Sequence, residues 1–161
     1  MSRVLDLYGK AHAIPVVGDR LFSFACSQVA PYFWSIRPRF TVIEANHAEV
    51  VIPKRRAVQN HIGTVHAIAL CNGLEAAMGV LAEASIPADK RWIPKGMEVA
   101  YTAKATSDIT CHADTDAAQW TGEDPDVSVR DKGVRTDGTV VIEGVIRLWV
   151  TPKPTTAPTR A

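Results

Sequence analysis

The chain has little of several features that mark particular classes of protein. Its 161 residues include three cysteines, odd in number and widely spaced, which argues against a disulfide framework and against a CxxC metal or redox site. The formal net charge is only +1, so no strong overall field favours nucleic acid or an anionic membrane as a partner. These absences leave a small molecule, or a second copy of the chain, as the expected partner.

Targeting signals and cofactor motifs are also missing. The first twenty residues lack the apolar core of a secretion signal, and no eighteen apolar residues follow one another without a break. The sequence has no serine nucleophile elbow, no P-loop and no glycine-rich dinucleotide loop. We therefore expect a cytoplasmic protein with no membrane insertion, no nucleic-acid partner and no cofactor.

Residues 60–83 stand out because a polar loop runs into a long stretch of small and apolar residues. Sixteen or more residues without a proline, ended before Pro87, predict one long helix. Gly73 and Gly79 each cost about 1 kcal/mol relative to alanine in a helix, which suggests close approach of another backbone. Glu75 is the only charged side chain within the apolar run. Because desolvating a carboxylate is costly, this placement favours a functional role for Glu75.

Runs of β-branched residues separated by turn signals predict six strands. Two strands joined by a turn at Asn46-His47 precede the helix, and four follow it in antiparallel succession. The predicted strands cover residues 39–45, 48–53, 97–105, 109–114, 127–134 and 139–150. A chain of 161 residues that is 47% hydrophobic fits one domain. The order predicts an α+β fold in which a curved antiparallel sheet wraps one long central helix.

The segments that flank this domain have a different composition. An amphipathic pattern from Leu21 predicts a helix capped by Asp19 and bent or ended by Pro31. Its aromatic residues are expected to pack on the core, with an acyl pocket as the alternative. The predicted organisation is an N-terminal helical extension over residues 1–38, the main domain over 39–152 and a flexible tail over 153–161.

The order of elements and the entry to the long helix resemble the hotdog fold of the acyl-CoA thioesterase superfamily. In the phenylacetate-pathway type, an Asn and a Gly-Thr-x-His-Gly-Gly segment precede an acidic residue nine positions after the His. The matching residues here are Asn60, Gly63, Thr64, His66 and Glu75. As a whole the chain is most similar to the branch of hotdog proteins that carries a domain of unknown function. It departs from the pattern at Ala67-Ile68, where the thioesterases have Gly-Gly.

The resemblance implies a role for each matching residue in hydrolysis of a thioester to a free acid and coenzyme A. Glu75 would act as general base or nucleophile, and the N–H of Ala67 would hold the carbonyl oxygen. Asn60 and His66 complete the expected catalytic set, His66 more by positioning than by proton transfer. The expected substrate-binding residues are Gly63, Thr64 and Ile68, and Thr64 is also the expected helix N-cap.

The spacing along the helix predicts an assembly. Nine residues of helix rise about 13 Å, so we expect Ala67 and Glu75 to lie far apart and on opposite sides of the helix. One chain then cannot bring both groups to one substrate. The resemblance implies a homodimer or homotetramer in which Glu75 of one subunit meets Asn60, His66 and Ala67 of another.

Two other functions remain open. The change of Gly-Gly to Ala67-Ile68 fits a hotdog protein that binds acyl-CoA or a fatty acyl chain without turnover. A purely structural dimer domain would instead pair Glu75 with a buried Arg or Lys.

Two further groups of residues have modest functional interpretations. The basic residues 54–56 fit a solvated strand end, or else a contact to a phosphate. His61 and His66 lack a third ligand nearby, and His112 fits a hydrogen-bonded histidine on a strand, so we assign no metal site.

Overall fold

The computed structural model describes residues 2–15 and 17–154, which form one antiparallel sheet and four α-helices. The strands are β1 (Arg39–Glu44), β2 (His47–Ile52), β3 (Lys90–Tyr101), β4 (Ile109–Asp114), β5 (Asp126–Arg135) and β6 (Val140–Pro152). The helices are α1 (Arg3–His12), α2 (Gly18–Val29), α3 (Ala67–Ser85) and the short α4 (Ala118–Thr121). The six strands lie in the order β1-β2-β4-β5-β6-β3. The predicted six-stranded sheet with one long helix is confirmed.

Helix α3 lies on the sheet because one side of it is made of small and apolar residues. A Cβ at Gly73 would lie 2.2 Å from Cδ1 of Ile52 on β2 and 2.8 Å from Sγ of Cys111 on β4. The close approach expected at Gly73 is therefore real, but side chains make it, not another backbone. The residues of α3 that are buried are Leu70, Asn72, Gly73, Leu74, Ala76, Ala77, Met78, Leu81, Ala82 and Ala84.

By length and composition α3 could also cross a membrane, a test that buried core helices pass as well. Its contacts with the sheet are those of a core helix.

Strand β3 differs most from its prediction. It begins at Lys90, where a turn was expected over residues 89–95, and it pairs with β6 instead of with β4. The four strands after α3 are therefore not in simple succession. Pro94 is tolerated inside β3 because it lies on an edge strand and beside a bulge between Pro94 and Gly96. The other edge of β3 pairs with no strand in the part of the chain described.

The N-terminal region forms two helices where the sequence indicated one. Helix α1 was not predicted; its Tyr8 is buried and donates a hydrogen bond to the carbonyl oxygen of Thr41 at 2.6 Å. Helix α2 begins at Gly18 after Val17 as N-cap residue, so Asp19 lies inside the first turn and the predicted cap is wrong. Phe22 packs edge-on against both Tyr8 and Phe40. The expected core packing is wrong for Phe24 and Tyr32 of the predicted pattern, which are 52% and 68% exposed.

The structure describes only the first two residues of the predicted tail, 153 and 154. The backbone N–H of Lys153 donates to the carbonyl oxygen of Asp89 at 2.7 Å, so the chain is held to the turn before β3 at that point. Residues 155–161 of the predicted tail lie outside the described residues.

Candidate active site at the amino end of the central helix

The loop before α3 is built around the side chain of Asn60. Its Oδ1 accepts hydrogen bonds from the N–H of Ile62 at 3.2 Å and of Thr64 at 3.1 Å. Its Nδ2 donates to Oγ1 of Thr64 at 2.9 Å. The carboxamide of Asn60, a member of the expected catalytic set, thus makes three hydrogen bonds within its own loop, and one Nδ2 hydrogen is left for any other contact.

Gly63 and Thr64 shape the same loop. Gly63 has φ of 76°, in the left-handed region where a residue without a Cβ is favoured. Thr64 is 7% exposed and its backbone carbonyl accepts from the N–H of Asn60 at 2.9 Å. Both residues shape the loop, but Thr64 is buried, whereas Gly63 is exposed at the surface.

His66 caps α3, so the prediction of Thr64 as N-cap is wrong. The imidazole Nδ1 of His66 accepts from the backbone N–H of Ile68 at 3.1 Å. In the neutral ring this bond leaves the proton on Nε2. The histidine therefore fixes the direction of the first helical turn.

Ala67 is the first residue of α3, and its N–H is one of the orphan donors of a helix start. Among the residues described, this N–H has no acceptor. The aligned peptide dipoles of the helix add the equivalent of roughly half a positive charge at this end. The half-exposed backbone of Ala67 is therefore a ready donor to an oxyanion.

A cleft of about 200 Å³ is lined by His66 and Ile68, the residues on either side of Ala67 in the chain. At its wall, Asn72 is 5% exposed and donates from Nδ2 to Oγ of Ser35 at 3.1 Å, while its Oδ1 has no partner among the described residues. A buried acceptor without a donor costs free energy unless a ligand or water supplies one. The lining residues are Tyr32, Ser35, Ile36, Ala57, Val58, Gln59, His66, Ile68, Ala69 and Asn72.

Glu75 is exposed in the single chain, which overturns the expectation that its apolar neighbours desolvate it. It has no hydrogen bond or ion pair with any described residue, so the buried Arg or Lys of the structural alternative is not found within this part of the chain. Eight residues turn the helix by a net angle of roughly 80° and rise about 12 Å. Ala67 and Glu75 are thus far apart, as predicted, but not on opposite sides.

Two side chains that the sequence did not single out lie between these groups. Sγ of Cys71 and Oη of Tyr101 are 3.3 Å apart, which ties α3 to the end of β3. The bond to Cys71 raises the pKa of Tyr101, and partial burial adds to the shift. Asn72 was also missed, although an amide inside an apolar helix is a signal of the same kind as Glu75.

Positive charge lies beside the cleft. Arg55, from the basic residues 54–56, donates to the carbonyl oxygen of Ser35, and burial together with the charge of Arg37 lowers its pKa. The guanidinium of Arg37 lies 5.3 Å from the ring centroid of Trp34. Arg55, beside Ser35, therefore has the positive charge of Arg37 nearby, and two guanidinium groups suit an anionic ligand.

Solved structures with the same fold include several named as thioesterases. A structural-genomics protein is 43% identical over 91% of this chain and 99% of its own, with a TM-score of 0.79. A Pseudomonas aeruginosa protein described as a probable thioesterase is 23% identical over 87% of this chain and 97% of its own, with a TM-score of 0.73. A thioesterase family protein from Silicibacter pomeroyi is 14% identical over 81% and 96%, with a TM-score of 0.67.

A protein-family model matches most of the chain. No curated protein gives a significant match. The model described as Domain of unknown function (DUF4442) matches residues 18–150, which include α2 as well as the whole of α3 and most of the sheet. The chain therefore has the hotdog fold of the thioesterase-family structures, and it belongs to the DUF4442 family.

Proposed function

We propose that the protein hydrolyses acyl-CoA thioesters at the amino end of α3. The observation that carries this proposal is the N–H of Ala67, which has no acceptor among the described residues and whose chain neighbours His66 and Ile68 line a cleft of about 200 Å³. A donor at the positive end of a 19-residue helix suits the negative charge that develops on a thioester carbonyl under attack. The names of the solved structures with this fold support the same chemistry.

Glu75 supplies the second half of the reaction in this proposal. Its carboxylate takes a proton from water, the water oxygen bonds to the carbonyl carbon, and the negative charge moves to the carbonyl oxygen held by Ala67. The carbonyl then re-forms as the C–S bond breaks, and the protonated Glu75 returns its proton to the departing sulfur, which releases coenzyme A as thiol and the acyl group as acid. In the alternative form Glu75 itself attacks, and water hydrolyses the resulting anhydride.

A homodimer would bring the two groups together. Glu75 is exposed and about 12 Å along the helix from Ala67, too far for both to meet one carbonyl within a chain. The free edge of β3 beside α3 is a ready surface for pairing with a second copy. Beyond the bulge at Pro94, the regular stretch from Gly96 to Tyr101 is the segment we expect to pair. Glu75 of one protomer would then serve the Ala67 end of its partner.

Coenzyme A suits the cleft better than a simpler thiol carrier. Its phosphates match the positive charge of Arg37 and Arg55, and its pantetheine amides carry N–H donors for the unpartnered Oδ1 of Asn72. The exposed side chain of Ile68 offers an apolar wall beside the same cleft. The acyl group would extend past Ile68 toward the dimer seam.

The test is release of free thiol from short, medium, long and aryl acyl-CoAs by wild type and by Glu75→Gln. We expect turnover of at least one substrate by the wild type, and a loss of about a hundredfold or more in the variant, as for removal of a catalytic base. Glu83→Gln is the matched control, because Glu83 lies on the same helix and its Oε1 accepts from Nε1 of Trp92 at 3.0 Å. Equal losses in both variants, or no turnover by the wild type, would overturn the proposal.

Binding of acyl-CoA without turnover is the second candidate. It is favoured by the hydrogen bonds of Asn60, whose carboxamide is largely occupied within the loop. It predicts saturable binding of a non-hydrolysable acyl-CoA analogue together with no thiol release from any member of the panel. Wild type and Glu75→Gln would then bind the analogue equally well.

A further inference from the structure

Four chemically reactive side chains meet on the face of the sheet that points away from α3. His47 and Glu49 alternate along β2 with the buried Ala48 and Val50, and His112 and Asp114 alternate along β4 in the same way. In the register of the two strands His47 is opposite Asp114, and Glu49 is opposite His112. The sheet therefore brings two imidazoles and two carboxylates to one spot.

The distances within this cluster suit a metal ion. Oε1 of Glu49 lies 3.5 Å from Nε2 of His47 and 3.3 Å from Nδ1 of His112. One ligand atom from each of these three residues lies within 4.8 Å of the other two. Zinc bonds of about 2.0–2.1 Å give a tetrahedron with edges of about 3.3–3.4 Å. Two of the three edges already have nearly this length, and modest rotation of the imidazoles closes the third.

Asp114 orients one of the rings. Its Oδ1 is 2.8 Å from Nδ1 of His47, which favours the tautomer with the proton on Nδ1 and leaves the lone pair of Nε2 facing Glu49. A carboxylate on the far nitrogen of a metal-bound histidine is a common arrangement around zinc, where it fixes the ring and raises its basicity. The bond explains why this histidine is turned toward Glu49.

Exposure and charge around the cluster also permit a cation. The side chains of His47, Glu49 and His112 are 34%, 29% and 21% exposed, so an ion can reach them while part of the site is shielded. Lys132 is opposite His112 on β5 and opposes a cation there. Arg130, opposite Asp114, is engaged by Asp116 at 3.0 Å. Among the described residues Lys132 has no ion pair, and the two carboxylates of Glu49 and Asp114 outweigh its single positive charge.

We propose that His47, Glu49 and His112 bind a zinc-class divalent ion, with water in the fourth position. Two imidazoles favour zinc and its late transition-metal neighbours over magnesium or calcium, which prefer oxygen ligands. Tetrahedral edges fit the observed spacing better than those of an octahedral site with bonds near 2.1 Å, which are about 3.0 Å. The site lies on the face opposite α3 and is independent of the proposed hydrolysis.

Calorimetric titration of tag-free protein with Zn²⁺, and visible spectra with Co²⁺ as probe, test the proposal. We expect one ion per chain and an intense tetrahedral Co²⁺ spectrum, both lost in His112→Ala and in the near-isosteric Glu49→Gln. Asp114→Ala should weaken binding about 10–100-fold, as for other partners of a ligating histidine. His61→Ala is the control, because it removes an exposed histidine outside the cluster. Glu75→Gln should bind Zn²⁺ as the wild type does.

Two results would overturn the metal site. The first is the absence of saturable Zn²⁺ and Co²⁺ binding by the wild type, in which case the four side chains form only a network of hydrogen bonds and ion pairs. The second is binding that persists in the double variant His47→Ala/His112→Ala, which would assign the ion to other groups such as the thiols. Thermal unfolding checks that each variant folds, and added Zn²⁺ should raise the Tm of wild type, His61→Ala and Glu75→Gln but not that of His112→Ala or Glu49→Gln.

Discussion

The two sides of α3 differ in how closely they are packed and how exposed they are. The side on the sheet is so closely packed that a Cβ at Gly73 would overlap Ile52 and Cys111. The side away from the sheet carries Ile68, which is 57% exposed, and the exposed Glu75. Packing alone explains the first side. The second side has the composition of a surface that a substrate or a second protomer would cover.

The comparison also shows where a desolvated carboxylate lies in this protein. The buried carboxylate is Asp131 on β5, which is 4% exposed and shares the α3-facing side of the sheet with Val129 and Gly133. Neither of its carboxylate oxygens has a partner among the described residues that meets hydrogen-bond geometry, and the N–H of Ile146 opposes the effect of burial only weakly. Desolvation, followed by the charge of Asp114, raises the pKa of Asp131 to about 8. Burial in an apolar setting thus applies to Asp131 and not to Glu75, the residue to which the proposed function assigns the reaction.

The largest expected effect on the exposed side comes from removing one backbone donor. Ala67→Pro deletes the N–H at the first helical position, where proline fits, and His66 before it already has the extended conformation that proline requires. We expect kcat to fall about 10²–10³-fold, as for loss of an oxyanion donor. Ala67→Gly keeps the N–H and restores the residue of the related thioesterases, so its activity should match or exceed that of the wild type. Equal activity of the two variants would exclude Ala67 as the donor.

Alanine substitutions at Gly73 and Gly79 measure the asymmetry in packing around α3, because a Cβ is crowded at the first position and has room at the second. Gly73→Ala gains about 1 kcal/mol of helix propensity but overpacks the core at a cost of about 1–3 kcal/mol. A Cβ at Gly79 would meet its nearest neighbour, Trp92, at an ordinary 3.8 Å. Gly79→Ala should therefore raise the free energy of unfolding by up to about 1 kcal/mol, whereas Gly73→Ala should lower it. Chemical denaturation measures both, and the same sign for the two variants would contradict the asymmetry.

Sequence patterns predicted the packed side well because apolar residues recur along a helix or strand with a period that can be seen in the sequence. The long run of small residues gave α3 to within a few residues, and β4 was predicted as residues 109–114, its observed range. The start of β3 was wrong because Pro94 reads as a turn, and only its place at a sheet edge makes it tolerable. Helix α1 was missed because a contact distant in sequence, from Tyr8 to Thr41, holds it in place.

The exposed side was less predictable, since its geometry depends on distant residues. The spacing of Asn60, His66 and Glu75 gave a motif, but it could not show that Asn60 and His66 satisfy loop and helix backbone. Nor could spacing within one strand show that His47 and Glu49 face His112, because strand register joins residues more than sixty positions apart.

A separate expectation concerns how stability depends on pH. Burial raises the pKa of Asp131 in the folded state to about 8 from its ordinary value of 3.8, so between these two pH values the folded state holds a proton that the unfolded state releases. Stability should therefore fall as pH rises through this window, and the loss is complete above the folded pKa. Asp131→Asn removes this contribution, so its Tm should fall less than that of the wild type between about pH 6 and pH 9. Parallel Tm profiles for the two proteins would contradict the assignment.

The claim that each active site combines Ala67 of one protomer with Glu75 of another can be measured by subunit complementation. Ala67→Pro and Glu75→Gln are each expected to be nearly inactive, and random pairing of equal amounts makes about half of all dimers mixed. Each mixed dimer holds one intact site and one doubly altered site. Thiol release from an accepted acyl-CoA should then recover to about a quarter of the wild-type rate. Recovery to that level supports a shared site, whereas a mixed population as inactive as its parents would contradict it.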